Sequence, residues 1–325
     1  MKNIFKKIYS LVSKIYVPLI LPFISCKINI PQEISVQILN DYCPDSHGSI
    51  DADNKITPDY DLHIIIPCYN VEKYIVDCLQ SVFSQKTKFS YFVTIINDGS
   101  TDSTLQLIEN YIYSLPQEKT KYIQVINQNN KGFSGARNAG LKHILGKYIM
   151  FVDSDDKLTP NAIEDLLEYA FAYDSIIVEG GCNTINVNNK VIQTHIPIKE
   201  KHFGQPWAKV FKNICFKYLK FPDGYLFEDS IMACCLFSQY KVDNIKNIVY
   251  QYRINPNSIT RTHKKLKKSI DVFYLYPYLW NWMKNNKLID MPNQIKTILN
   301  QSALAYVRTV EREREREYKS MGLIY

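Results

Sequence analysis

From Leu62 onward, short apolar runs alternate with stretches whose apolar residues recur every three or four positions. Leu62–Ile66 is continuously apolar apart from His63 and is closed by Pro67, the pattern of a buried strand. Beyond Asn70, a candidate N-cap, Tyr74, Ile75, Cys78, Leu79, Val82 and Phe83 share one helical face. Tyr91–Ile96 predicts a second strand, running into Asn97-Asp-Gly-Ser-Thr-Asp102. A helix with Leu105 and Ile108 inward leads to a third strand over Tyr122–Ile126. Lys131–Asn138 opens another helix, and Tyr148–Val152 is a fourth strand ending at Asp153-Ser-Asp-Asp156. Four such alternations predict a mostly parallel sheet covered by helices. The residues able to do chemistry fall just after strand ends, where open α/β sheets bind ligands.

The second half is less regular. Thr159-Pro160 predicts a helix start by cap and first-turn proline. Ser175–Glu179 reads as a strand, Cys182–Val187 and Lys190–His195 as a hairpin turning at Asn188-Asn189, Glu228–Tyr240 as a helix and Val249–Arg253 as a strand. Beyond residue 264 the pattern is helical and aromatic, with Phe273, Tyr274, Tyr276, Tyr278, Trp280 and Trp282. Core packing is the expected use of such a stripe, ahead of contact with lipid headgroups. Glu311–Glu317 alternates Glu and Arg, the mark of a solvated helix end. Residues 28–60 are polar and without sustained periodicity, as in a linker. The expected division is therefore 1–60, 61–263 and 264–325.

Ahead of the linker, Lys2, Lys6 and Lys7 precede an apolar run, Ile15–Cys26, interrupted by Pro18 and Pro22. A bilayer span needs about 20 residues. This segment is expected to lie on an anionic membrane surface; a signal peptide is the rival reading.

Of the 325 residues 46% are hydrophobic and 22% charged, which argues against wholesale disorder. The net charge is +7, with five Lys and Arg gathered in Arg261–Lys268, a patch suited to polyphosphate, anionic lipid or nucleic acid and equally to a solvated helix face. The eight cysteines form no CxxC pair, so reduced intracellular thiols are expected rather than a zinc or disulfide framework.

Three acidic positions carry candidate chemistry. Asp98, in a glycine-containing loop at a strand end, has the acceptor that the N3–H of uracil requires; as Asp-Gly-Ser it is equally a turn former. Asp153 and Asp155, one residue apart after an apolar strand, offer paired oxygen ligands to Mg2+ or Mn2+, which can neutralise a leaving diphosphate. Glu228 and Asp229 open a helix, where the dipole alone stabilises acids and where a general base needs hydrogen-bond reach of its substrate.

Together these stretches resemble the family-2 glycosyltransferases, whose fold is GT-A, a Rossmann-like α/β nucleotide-diphospho-sugar transferase domain. The matching segments are Ile64-Ile-Ile-Pro-Cys-Tyr-Asn70, Asn97-Asp-Gly-Ser-Thr-Asp102, Lys131-Gly-Phe-Ser-Gly-Ala-Arg-Asn-Ala-Gly140, Phe151-Val-Asp-Ser-Asp-Asp156 and Phe227-Glu-Asp229. The likeness is dense over 62–160 and thinner to about 263, with 264–325 as a helical C-terminal extension.

The resemblance implies inverting transfer of a sugar from a nucleotide-sugar donor, a UDP-sugar, to a glycan or lipid-linked acceptor in surface polysaccharide synthesis. It implies a divalent cation, Mn2+ or Mg2+, and no nucleic-acid partner. Pro67, Tyr69, Asn70, Asp98 and Arg137 would surround the nucleotide. Asp153 would hold ribose or metal and Asp155 the metal. Asp229 would be the base with Glu228 beside it, Arg261 would touch the diphosphate, and Trp207 would lie on the acceptor side. Asn97 departs from the family's usual acid. Because the donor is a cytoplasmic metabolite, the expected location is the cytoplasm, at the inner membrane face. A sugar-nucleotide pyrophosphorylase would want a glycine-rich basic loop where Pro67-Cys-Tyr-Asn70 stands, and a dinucleotide oxidoreductase would want GxGxxG there. An inactive glycan- or membrane-binding protein on the same scaffold is opposed by the joint presence of Asp153, Asp155 and Asp229.

Overall fold

The computed structural model describes residues 49–198, 202, 204–225 and 228–255. Four parallel-paired strands form the first half of one sheet: β1 (Lys55–Cys68), β2 (Tyr91–Asp98), β3 (Ile123–Gln128) and β4 (His143–Phe151). Between them run α1 (Ile75–Phe83), α2 (Thr104–Ser114), the short α3 (Gln117–Thr120) and α4 (Gly132–Leu141). Then follow β5 (Lys157–Leu158), α5 (Ala162–Ala172), β6 (Ile177–Ile185), β7 (Val191–His195), β8 (Lys209–Lys212), a 3-10 turn at Asn213–Phe216, α6 (Glu228–Gln239) and β9 (Val242–Arg253). The strand order is β3-β2-β1-β4-β8-β6-β9-β5, with β7 paired to β6.

Alternation along β1 fixes the layers. Leu62, Ile64, Ile66 and Cys68 pack on the face covered by α1, α2 and α5, and Ile65 on the face covered by α4 and α6. Continuous apolar runs arise because both faces of parallel strands are covered. The expected parallel character holds throughout β1–β4 and again between β6 and β9. β8 runs antiparallel to both β4 and β6, so the second half of the sheet is mixed.

Several local expectations are corrected. Residues 49–60 are not linker: β1 begins at Lys55, Ile50 is buried, and Asn54 Nδ2 donates to the carbonyls of Phe216 at 2.6 Å and Leu219 at 3.3 Å. Polar residues with fixed partners do not advertise a core position. The strands expected at 175–179 and 182–187 are one strand, β6, running through Gly180-Gly181. A Cβ on Gly180 would stand 2.5 Å from Val249 Cγ2, so the glycine permits close packing of β9 instead of breaking the strand. β9 extends back to Val242, and the short strand β8 carried too little pattern to be expected. Thr159 does not cap α5; its hydroxyl donates to the Ile248 carbonyl at 2.7 Å, and the helix starts at Ala162. The hairpin turn at Asn188-Asn189 is present, with Asn189 at φ 62°.

The six described cysteines are free thiols, and burial pushes Cys68 up to about 12 and Cys182 up to about 11. Among the described residues no helix is long and apolar enough to cross a membrane. The N-terminal surface segment, the aromatic stripe, the Glu-Arg repeat and Arg261 lie outside the described residues.

Candidate active site

The carboxyl ends of β1, β2 and β4 are adjacent: Cys68 pairs with Asn97, and Ile65 with Phe151. Their loops therefore converge, and side chains stitch them together. Asn70, at φ 51°, caps no helix; its Oδ1 accepts the Thr101 amide at 2.8 Å and its own amide donates to Ser100 Oγ. The Val71 amide donates to Thr104 Oγ1, and the Glu72 amide to Asp102. Gly99 takes φ 71°, and a Cβ there would lie 2.8 Å from the Asn130 nitrogen, so this tight turn requires glycine.

These loops border a cavity of about 360 Å³, a size suited to a small-molecule ligand. Pro67, Tyr69 and Asp98 line one side, Lys131–Ser134 another, and Tyr225 and Glu228 a third. Asp98 is almost wholly buried, and its Oδ1 accepts from Gln128 Nε2 at 2.7 Å and from the Lys131 amide at 2.9 Å. The same carboxylate thus holds the start of α4 against the end of β3. The N-terminus of α4 faces the cavity with its partial positive charge, and Ser134 Oγ is buried there without a hydrogen-bond partner.

Arg137 lies one turn further along α4 and connects two predicted sites. Its Nη2 donates to Asp153 Oδ1 at 2.9 Å and its Nη1 to Glu228 Oε1 at 2.8 Å. The guanidinium also lies over the rings of Phe221 and Phe133, at 5.3 and 5.5 Å. Burial pulls its pKa down, but Asp153 and Glu228 outweigh burial and hold it above its usual value. Burial raises the Glu228 carboxyl; Arg137 opposes that and Asp229 adds to it. Asp229 is half-buried on the first turn of α6, close enough for its charge to act on Arg137, Glu228 and the buried Lys209. Lys209 itself sits 2.7 Å from Glu179.

Asp153 and Asp155 flank Ser154 just past β4. The Asp153 amide donates to the Tyr250 hydroxyl at 3.0 Å, and Asp155 Oδ2 accepts from Asn255 Nδ2 at 3.1 Å. Burial, then the charge of Asp153, raises the Asp155 carboxyl. Two desolvated like charges supplied by hard oxygen ligands are the environment that a divalent cation relieves. Among the described residues no cluster of three or more His, Cys, Asp or Glu side chains forms a cation cage. Mg2+ seldom uses one, since it keeps water and substrate phosphate oxygens as ligands. The donor set thus fits Mg2+ or Mn2+.

Of the residues the sequence pointed to, Pro67, Tyr69, Asp98 and Glu228 line this cavity, Asn70 sits in the bordering loop, Arg137 joins Asp153 to Glu228, Asp155 follows in the acid turn, and Asp229 lies on the first turn of α6. The structure adds Gln128, Tyr225, Tyr250 and Arg253, which no motif signalled, and Ser134 from within the Lys131–Gly140 segment. Trp207 stacks on Tyr250 at 4.9 Å and 8°, and on Tyr252 at 5.6 Å.

Comparison with known proteins shows the family and the fold. The family model described as Glycosyl transferase family 2 matches residues 63–246. Glycosyltransferase GlyA of Streptococcus pneumoniae is 30% identical over 68% of this chain and 34% of its own length. The minor teichoic acid biosynthesis protein GgaB of Bacillus subtilis is 28% identical over 76% of this chain and 28% of its own. The chain thus spans about a third of the length of these relatives. Among solved structures, S. aureus TarS residues 1–349 in complex with UDP-GlcNAc superimposes with TM-score 0.54 at 18% identity, over 77% of this chain and 81% of that one. The mannosyltransferase PcManGT from Pyrobaculum calidifontis, in complex with GDP-Man and Mn2+, gives 0.51 at 12% identity, over 90% and 83%.

Proposed function

Because this chain belongs to glycosyl transferase family 2, with the GT-A fold its sequence led one to expect, we propose that it moves a sugar from a UDP-sugar to a hydroxyl of a glycan or lipid-linked acceptor, with inversion. The observation that carries the reading is the meeting of three features: the Asp98 cavity, the Asp153–Asp155 turn, and the start of α6 with Glu228 and Asp229, the last two joined through Arg137.

In this reading the nucleoside enters beside Tyr69, where Asp98 accepts the uracil N3–H. Gln128 and the Lys131 amide already occupy Oδ1, which leaves Oδ2 for the base. The Ser134 hydroxyl and the α4 N-terminus favour the polar, anionic ligand. Asp153 and Asp155 hold the cation, which when bound neutralises charge on the departing diphosphate. Arg137 keeps Asp153 turned toward the cavity and prevents its charge from repelling Glu228. Asp229 takes the proton from the acceptor hydroxyl as that oxygen bonds to the anomeric carbon and the bond to the diphosphate breaks. Glu228, already paired with Arg137, is the less available of the two carboxylates. Trp207, buried against Tyr250 and Tyr252, supports the acceptor side from the core, and Arg261, in a catalytic domain reaching residue 263, contacts the diphosphate.

UDP is favoured because a single carboxylate at the base suits uracil, and because TarS, a structural relative, was solved with UDP-GlcNAc. The membrane-surface segment at 1–27 would bring the enzyme to lipid-linked acceptors at the inner membrane face, in surface polysaccharide synthesis like that served by GgaB. The test is nucleotide release from a panel of UDP- and GDP-sugars with Mn2+. Release of UDP from at least one UDP-sugar is expected; turnover of GDP-sugars alone would overturn the choice of base, and turnover of none the reading itself.

A further inference from the structure

The turn that carries Asp153 and Asp155 is held from behind by the end of β9. β5 pairs antiparallel with β9, Lys157 opposite Gln251. Two residues further along that register Asp155 comes opposite Arg253, which is 2% exposed. The Arg253 amide donates to Asp156 Oδ1 at 2.6 Å, and its Nε donates to the Asp155 carbonyl at 2.9 Å. Its Nη2 reaches Asp77 on α1 at 3.1 Å, and the guanidinium lies over the Tyr74 ring at 5.1 Å. One buried side chain therefore joins β9, the acid turn and α1.

The form of these bonds matters. An arginine present only to balance charge forks onto carboxylates, as Arg137 does with Asp153 and Glu228. Arg253 instead spends its Nε on the backbone carbonyl of Asp155 and anchors its far end on a different element. That fixes the Asp155 peptide while leaving its carboxylate charge in place for another cation.

We propose that Arg253 is a positioning residue for divalent-cation binding: it holds the Asp155 peptide between β9 and α1 so that the carboxylate stays beside Asp153 in the acid turn. The inference rests on the reading of Asp153 and Asp155 as the cation-holding turn. Removing residues that orient metal ligands weakens metal affinity about 10–100-fold, and a fall in that range is expected here. Asp77, whose side chain is 42% exposed, acts only through Arg253, so its loss shifts affinity the same way by a smaller factor.

The experiment measures Mn2+ binding by the electron paramagnetic resonance of free Mn2+, with UDP present, for the full chain, Arg253→Gln, Asp77→Asn and the double variant. UDP binding in EDTA is measured in parallel. Weaker Mn2+ binding by both single variants, no added effect of Asp77→Asn in the Arg253→Gln background, and unchanged metal-free UDP binding support the proposal. Lower thermal stability with wild-type Mn2+ affinity overturns it, because Arg253 would then only staple α1 to β9. Should Arg253→Gln not fold, Asp77→Asn decides alone: wild-type Mn2+ affinity in that variant overturns the proposal. Failure of the unmutated chain to bind Mn2+ with UDP would instead remove the reading on which it stands.

Discussion

Arg137 Nη1 lies 2.8 Å from Glu228 Oε1, across a gap of 91 residues in the chain, and so ties the donor half of the domain to the start of α6 in the second half. The same guanidinium holds Asp153 at 2.9 Å. Three charged groups, each no more than 21% exposed at the side chain, are thereby fixed relative to one another before any ligand arrives.

Truncating that arginine leaves two carboxylates desolvated and unpaired. Arg137→Met is expected to lower stability by about 3–5 kcal/mol, read as a lower urea midpoint. Arg137→Lys keeps one charge but cannot fork to both acids, and should recover only part of the loss. A Met variant as stable as the wild type would mean the pair contributes nothing.

Asp98→Asn keeps an oxygen for Gln128 and Lys131 but presents an amide where uracil needs an acceptor. Donor affinity should fall by roughly 1.5–3 kcal/mol, the value of a hydrogen bond to a charged group, with Mn2+ binding unchanged. Calorimetric titration with UDP checks this.

Asp155→Ala removes a carboxylate from the cation-holding turn. Mn2+ binding in the presence of UDP and nucleotide release should both be lost, and EDTA should reproduce the second loss in the unmutated chain. Full activity in EDTA would exclude a cation requirement.

Buried His63 bonds Thr94 Oγ1 at 2.8 Å, and burial, assisted by His143, pulls its pKa down from 6.5 to about 4. The folded state is the weaker base here, so the unfolded chain binds the proton first as pH falls. The associated stability is present above pH 6.5 and is lost as pH drops from 6.5 to 4, by about 3 kcal/mol in total. His63→Gln should lack this share. Urea midpoints at pH 7 and pH 4.5 measure it as the difference between the two proteins.

The donor side was legible because each parallel strand carries its own signal and delivers its polar residues within a few positions. Leu62–Ile66 leads directly to Tyr69, and Tyr148–Val152 to Asp153. Roles that depend on distant pairing were not legible. Arg253 meets Asp155 across 98 residues, and Gln128 meets Asp98 across 30, with nothing local to mark either bond. The glycine pair at 180–181 looked like a strand break because its reason lies in Val249 on a neighbouring strand. Asn54 looked like linker because its partners are carbonyls of Phe216 and Leu219.

The central claim is the division of labour between a donor site on β1–β4 and a base on α6. Asp229→Asn tests it most directly, since Asn is nearly isosteric, caps a helix as well as Asp and takes no proton at neutral pH. Single-turnover sugar transfer should fall by about 10²–10⁴-fold, while UDP and Mn2+ bind as in the unmutated chain. Transfer at the unmutated rate would contradict the account and move the base elsewhere, with Glu228 the first residue to examine.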